Sequence, residues 1–250
     1  MSFKFYASHK MVLALLSLLS PFLLIAQNDF SKHGNAQSLR FDKGNQPTVS
    51  SFFDEYRSAF SMSDEIQLKE YRVTTDEIGT HHRYNQYYKG IEVLGAQYVL
   101  HEKNDAVWYA NGQLLQQLEM DVTPNISEES ALSYALSHID ADKYMWENPK
   151  NESFLKNEQN DPNASFYPQG HLKLTSGRRD LSSKTIRLVY RFDIYSEQPL
   201  SRNWVDVDAK TGEIVNVTSR IHNTNASVIE VSRSTVDKSE DDSKNNGNSK

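Results

Sequence analysis

The chain has 250 residues, of which 24% are charged and 11% aromatic, with only 10 glycines and 7 prolines. These proportions are typical of a folded globular protein and exclude collagen-like and Gly/Pro-rich low-complexity classes. Cysteine is absent, which excludes disulfides, thiol catalysis and thiolate-bound metals. The formal net charge of −6 argues against a nucleic-acid partner, because binding to phosphates needs a surplus of lysine and arginine.

The N-terminus has the pattern of a secretory signal peptide. A short basic region with Lys4 and Lys10 precedes the apolar run Met11–Ile25. The run is shorter than the roughly 20 residues that a membrane-spanning helix needs. We therefore expect residues 1–26 to be removed by cleavage between Ala26 and Gln27, which leaves a secreted chain that is not held in a membrane. An uncleaved membrane anchor is the alternative.

Residues 27–62 form a polar N-terminal segment with one amphipathic patch. Aromatic and apolar residues recur there at helical spacing, which predicts a short helix over Ser50–Phe60 with Ser50 as its N-cap. Residues 65–118 alternate apolar or aromatic residues with polar ones, which predicts half-buried β-strands. Lys103, Asn104 and Asp105 separate two such runs and predict a hairpin turn.

Residues 122–222 contain one strong helical pattern followed by further strands. The helix is predicted over residues 126–147, with Ser127 as N-cap and with Asn148 and Pro149 ending it. Residues 150–170 are predicted to be a loop.

Two strand patterns follow this predicted loop. Residues 184–196 show the most regular alternation in the chain, and residues 203–219 predict a hairpin. Asp208 opens its turn, and Gly212 provides the residue with positive φ. Residues 223–250 are Ser, Asn, Asp and Lys with no aromatic residue, which predicts a disordered tail. The predicted fold class is α+β, with two small modules that each consist of a curved antiparallel sheet packed with one or few helices.

Histidine and acidic residues do not fall at the spacing of a catalytic zinc site. His101 and Glu102 are the only His-Glu pair, and the second histidine that such a site needs is replaced by Asp105. His81 and His82 are adjacent, so on a strand they point to opposite faces. Asp206 and Asp208 suggest a calcium loop only faintly and fit a hairpin turn better. We therefore expect no catalytic residue, no metal ligand and no cofactor.

The segment HHRYNQYYKGIEVLGAQYVLHE, residues 81–102, resembles the signature of the fungalysin/thermolysin propeptide domain. The later strands and hairpin resemble those of a PepSY-type domain. The residues that match the propeptide motif are Arg83, Tyr84, Gln86, Tyr87, Gly90, Ile91 and Val93.

This resemblance implies a propeptide-like domain over residues 63–121 and a PepSY-like domain over residues 122–222, in a cystatin-like architecture. It also implies a partner, the catalytic domain of a thermolysin-like peptidase, in cis in the family and possible in trans here. The seven motif residues then become candidates for contact with that partner. The catalytic domain itself, with its His-Glu-x-x-His motif, is not found in this sequence.

Two functions from different classes remain open. The first is a non-catalytic proregion that acts as folding chaperone and inhibitor of its peptidase, either as a stand-alone protein or as a truncated zymogen. The second is an envelope or extracellular binding module of PepSY-like fold. An active peptidase is rejected because metal ligands are lacking. Aromatic residues crowd one predicted sheet region and either build the core or form a docking face. They are Tyr84, Tyr87, Tyr88, Trp108 and Tyr109.

Overall fold

The computed structural model describes residues 29–33, 36–116, 118–177, 181 and 183–221. The predicted cleavage site at Ala26 and Gln27 and the predicted tail 223–250 lie outside these residues. The strands are β1 Asp29–His33, β2 Ala36–Arg40, β3 Ile66–Thr75, β4 Thr80–Tyr88, β5 Ile91–Lys103, β6 Ala106–Gln113, β7 Lys143–Tyr144, β8 His171–Thr175, β9 Arg187–Gln198, β10 Ser201–Asp208 and β11 Ile214–Ser219. The helices are α1 Phe52–Tyr56, α2 Glu128–Ile139 and α3 Pro149–Gln159, with a 3-10 turn at Met145–Glu147.

The described strands form one open, mixed sheet. Its main path runs β1-β2-β6-β5-β8-β9-β10-β11, with β4 and then β3 attached to β5 and with β7 attached to β9. All neighbouring pairs are antiparallel except β5 and β8, which meet in parallel through Val93 and Leu174. The predicted α+β class is confirmed, and the two halves of the chain share a sheet through this one parallel contact.

Two hydrophobic cores lie along the sheet, and β4 and β5 contribute to both. The first core packs α1 against β2, β4, β5 and β6, and its largest buried side chains include Phe52, Phe60 and Tyr98. The second core packs α2 against β8, β9 and β10, with Leu174, Leu188 and Phe192 fully buried or nearly so. Burying each such side chain stabilises the fold by about 1.5–3 kcal/mol relative to exposure, so these aromatic and branched residues dominate the folding energy. 

The first half follows the predicted strand pattern, with additions at its start. The turn after β5 consists of Asn104 and Asp105, both with positive φ (54° and 61°), which is the two-residue type I′ geometry of a hairpin. Helix α1 is shorter than predicted, and Ser51 rather than Ser50 occupies the N-cap position. Strands β1 and β2 were not predicted, because the polar sequence of this segment lacks the alternation that marks a half-buried strand.

Two predictions in the second half are wrong. Helix α2 begins after Ser127 as predicted, but it ends at Ile139, where Asp140 adopts a left-handed conformation (φ 48°). Asn148 and Pro149 do not stop this helix. They start α3, which occupies much of the predicted loop 150–170.

The start of α3 has a simple physical basis. Proline is favoured at the first helical position because its missing N–H needs no partner there, and the Asn148 side chain accepts the Lys150 N–H as an N-cap. The predicted alternation in β9 and the predicted hairpin of β10 and β11 are confirmed, with φ +82° at Gly212.

A close approach at Gly112 of β6 yields a stability test. A Cβ atom at this position would lie 2.2 Å from the carbonyl oxygen of Gln97 and 2.6 Å from the ring of Tyr98. Because Tyr98 is fully buried in the first core, neither neighbour can move freely. Gly112→Ala should lower the free energy of unfolding by about 1–3 kcal/mol, measured by urea titration. The adjacent, exposed Gln113→Ala is the control, with a change within about 0.5 kcal/mol. Equal stability of the two variants would contradict the close packing at Gly112.

Candidate functional site

The hairpin of β4 and β5 carries the motif residues singled out in the sequence. Its turn is Lys89–Gly90, and both residues have positive φ (47° and 82°), so Tyr88 and Ile91 pair directly across a two-residue turn. Glycine populates such angles without steric cost, which explains its presence in the motif. Val93 follows in β5 and makes the parallel contact with β8.

Gln86 is the most constrained motif residue. It lies at an interruption of the β4–β5 register and is fully buried. Its side-chain amide donates to the Leu115 carbonyl oxygen at 2.7 Å, and its side-chain oxygen accepts the Leu115 N–H at 2.8 Å. This pair of bonds acts like a strand pairing and anchors the chain where it leaves β6 for the second half.

The other motif residues divide between core and surface. Tyr84 is buried against Phe53, with ring centroids 4.8 Å apart, and burial, reinforced by Glu70, raises its pKa. The Lys69 ammonium lies 4.3 Å from the centre of the Tyr87 ring. Arg83, Tyr87, Gly90 and Ile91 retain surface exposure. Partner contact by the motif stays a prediction, and its exposed members are the ones able to make it directly.

A histidine pair on this hairpin was missed by the sequence analysis. His81 of β4 and His101 of β5 are cross-strand neighbours, and their Nδ1 atoms lie 2.7 Å apart. His81 Nε2 also lies 2.9 Å from Asp76 Oδ2, and His101 Nε2 lies 2.8 Å from Asn111 Oδ1. One Nδ1 must donate and the other must accept, so the two rings cannot both be fully protonated in this arrangement. Burial lowers the pKa of His101, as do the charges of His81 and Arg83.

His82 points to the opposite face of β4, as predicted for adjacent strand residues. Its Nδ1 lies 2.8 Å from a Glu70 oxygen and its Nε2 lies 2.9 Å from a Glu102 oxygen. Burial opposes the charged ring, but the two carboxylates outweigh it and raise the pKa of His82. Two acidic groups thus favour the charged form of this ring.

Comparison with known proteins identifies the sheet that bears these residues. Residues 66–114 match the family model described as the Fungalysin/Thermolysin Propeptide Motif. These strands, about a fifth of the chain, are similar to that propeptide motif. The match runs from the start of β3 to the residue after β6, so it contains the whole meander with its bulge at Gln86 and its histidine pair. It is a propeptide motif and not a catalytic domain.

Two further proteins are similar to this chain. The hemagglutinin/proteinase of Vibrio cholerae is 29% identical over 165 residues, which cover 63% of this chain and 22% of the relative. The chain therefore spans about a fifth of that relative's length. The YpeB C-terminal domain of Bacillus megaterium is 12% identical, with a TM-score of 0.35, and the match covers 78% of this chain and 90% of that domain. The propeptide motif and the proteinase relative fit the proregion of a thermolysin-family peptidase.

An open cleft lies outside the propeptide motif, on the second half of the chain. It has a volume of about 420 Å³ and is bordered by Phe166, Tyr167, Tyr195 and Trp204, among others. Asp193 within it accepts two bonds from Arg202 and also pairs with Arg220. Burial opposes ionisation of Asp193, but the two arginines outweigh it and lower the pKa of the carboxyl group.

The acidic residues considered as metal ligands have other partners. Asp206 forms a bidentate pair with Arg191, at 2.6 and 2.7 Å. Asp208 accepts the N–H groups of Lys210 and Thr211, as a hairpin turn requires. Within the described ranges, no group of three or more His, Asp or Glu residues is placed to hold a metal ion. No helix in that part of the chain is long and apolar enough to cross a membrane.

The bonds of Gln86 lead to a second stability test. Gln86→Leu keeps the volume but leaves the buried N–H and carbonyl of Leu115 without their partners. Each unsatisfied group costs about 1–3 kcal/mol, so the free energy of unfolding should fall by at least that amount in urea titration. Gln67→Leu, at an exposed position of β3, is the control. A loss no larger than that of the control would show that Leu115 does not depend on Gln86.

The raised pKa of His82 leads to a test by pH. The stability that the charged ring contributes is fully present below its unfolded pKa of about 6.5, and it is lost as pH rises through the higher folded pKa. His82→Gln should therefore reduce the free energy of unfolding more at about pH 6 than at about pH 9. The measurement is urea unfolding at both pH values, with the exposed His138→Gln as control. An equal deficit at both values would contradict the ion pairs.

Proposed function

We propose that this chain is the non-catalytic proregion of a secreted thermolysin-like zinc metallopeptidase, which binds the catalytic domain, assists its folding and inhibits it. The observation that carries the proposal is the propeptide-motif match over residues 66–114, where β3 to β6 form a complete meander. The proteinase relative supports the same role, since it is 29% identical to this chain over 165 residues. The family match does not distinguish a partner in the same polypeptide from a separate partner protein, and the proposal covers both arrangements.

Such a role needs a rigid surface and no catalytic group. A proregion inhibits by covering the substrate cleft of its peptidase. A surface that two buried cores keep rigid can cover the cleft without any catalytic residue. The propeptide-like domain over residues 63–121 and the PepSY-like domain over residues 122–222 would present their sheets together, because β5 and β8 pair. Arginine, tyrosine and tryptophan at the surface are the residue types that dominate protein interfaces.

The proposal includes export and maturation. Signal peptidase would cleave between Ala26 and Gln27, and the mature chain would act outside the cytoplasm without a cofactor. The N-terminal pattern of a basic region and a short apolar run supports this location.

A second candidate function rests on the cleft of the second half. Its volume of about 420 Å³ is in the range of small-molecule sites, and its aromatic border and the Asp193–Arg202 pair offer stacking and polar contacts. This arrangement would suit an envelope binding module of PepSY-like fold. The propeptide motif does not require such a ligand, so the proregion role is the better supported of the two.

Inhibition and refolding assays test the proposal. The purified chain should slow hydrolysis by a thermolysin-family peptidase from the same source and raise the refolding yield of its catalytic domain. At about 10 μM, an affinity near −8 kcal/mol already gives substantial occupancy. A serine peptidase of unrelated fold should be unaffected, and the chain alone should not hydrolyse casein. Neither inhibition nor a refolding benefit at that concentration would leave the binding-module function ahead, and proteolysis by the chain alone would overturn its non-catalytic character.

A further inference from the structure

The outer face of the propeptide-motif sheet, opposite α1, is lined with cations. Side chains directly opposite each other in an antiparallel pair lie on the same face, and the register places Lys69 opposite Asn85, Arg72 opposite Arg83, and His81 opposite His101. Tyr109 lies opposite both His101 and Arg40. We call this surface the basic face; its residues are Arg40, Lys69, Arg72 and Arg83, around His81 and His101.

Aromatic rings contact two of the cations of the basic face, Arg40 and Lys69. The Arg40 guanidinium lies 5.2 Å from the ring centre of Tyr109 and 5.8 Å from that of Trp108. The Lys69 ammonium lies 4.3 Å from that of Tyr87. Stacking of this kind orients the charged groups toward solvent while their polar hydrogens stay available.

The cations of the basic face lack acidic partners among the described residues. No carboxylate in that part of the chain lies within ion-pair distance of Arg40, Lys69, Arg72 or Arg83. The acidic residues at the border have other partners than these four cations: Asp76 pairs with His81 on the face itself, and Glu92 pairs with Lys173.

The described arginines of the second half, in contrast, form ion pairs. Each of four arginines there is paired with at least one carboxylate, the residues being Arg187, Arg191, Arg202 and Arg220. Carboxylates thus neutralise the arginines of the second half, whereas Arg40, Arg72 and Arg83 of the basic face have no such partner among the described residues.

Leaving these charges uncompensated has a cost for the isolated chain. Like charges directly opposite on neighbouring strands are destabilising, and Arg72 and Arg83 are such a pair. The concentration of positive charge also stands against a formal net charge of −6 for the whole sequence. An anionic partner would remove the repulsion and form charge-assisted hydrogen bonds with the guanidinium groups.

We propose that the basic face is the surface by which this chain docks on a carboxylate-rich surface of the peptidase catalytic domain. The inference rests on the proposed proregion function and assigns its interface. A folded protein fits better than a nucleic acid or an anionic membrane, because those carry extended negative charge that the net negative chain would meet with repulsion. Guanidinium groups, of which that of Arg40 is held against aromatic rings, are suited to bidentate recognition of individual carboxylates.

The test is a pair of neutralising substitutions in the full chain, Arg72→Gln with Arg83→Gln. Inhibition of the catalytic domain used above should weaken about tenfold at low ionic strength, mainly through slower association, and the difference should shrink at about 0.5 M salt. The melting temperature of the free variant should stay the same or rise, since a repulsive pair is removed. A merely structural role for the two arginines predicts a lower melting temperature instead.

Matched controls and opposing outcomes complete the experiment. Lys150→Gln with Lys156→Gln makes the same change of charge on α3, in the second half of the chain, and should leave inhibition unchanged. Unaltered inhibition by the Arg72/Arg83 variant, while the unaltered chain inhibits, would overturn the interface and keep the proregion function. Absence of inhibition by the unaltered chain would overturn both. Binding of the unaltered chain to phosphatidylglycerol vesicles, lost in the Arg72/Arg83 variant, would assign the face to lipid and overturn the protein interface.

Discussion

Two hydrogen bonds between the Gln86 side chain and the Leu115 backbone are the constraint on which the rest of the structure depends. They satisfy a buried glutamine and, at the same time, fix the point where the chain leaves the first sheet region. The register of β4 and β5 is interrupted at the same place, which frees Val93 to pair with Leu174 of β8. The junction between the two halves therefore depends on a polar residue that is completely buried.

Local sequence signals predicted much of the fold. Three features depend only on residues close in sequence, and the sequence was enough to predict them. They are the alternation in β9, the two-residue turn at Asn104 and Asp105, and the Ser127 N-cap. The errors have equally local causes. Pro149 was interpreted as a helix stop although the same residue type favours a helix start, and β1 and β2 carry no alternating pattern.

The candidate site was less accessible to sequence analysis. Counting outward from the Lys89–Gly90 turn would not place His81 opposite His101, because the interruption near Gln86 shifts the register. The pairing of the two histidines follows from this interruption, and the pairing of Arg72 with Arg83 follows from a separate register shift between Glu70 and Arg72; no periodicity shows either one. The seven motif residues lie together on the hairpin of β4 and β5, but their division between core and surface needed the structure.

Strand β5 has a consequence for the lifetime of the molecule. Its 13 residues include Tyr98 and Leu100 of the first core and Val93 and Ala96 of the second core. A single broken peptide bond within this strand would loosen side chains of both cores, because the strand contributes to each of them. Proteolysis within β5 would therefore be felt on both sides of the sheet and not in one half alone.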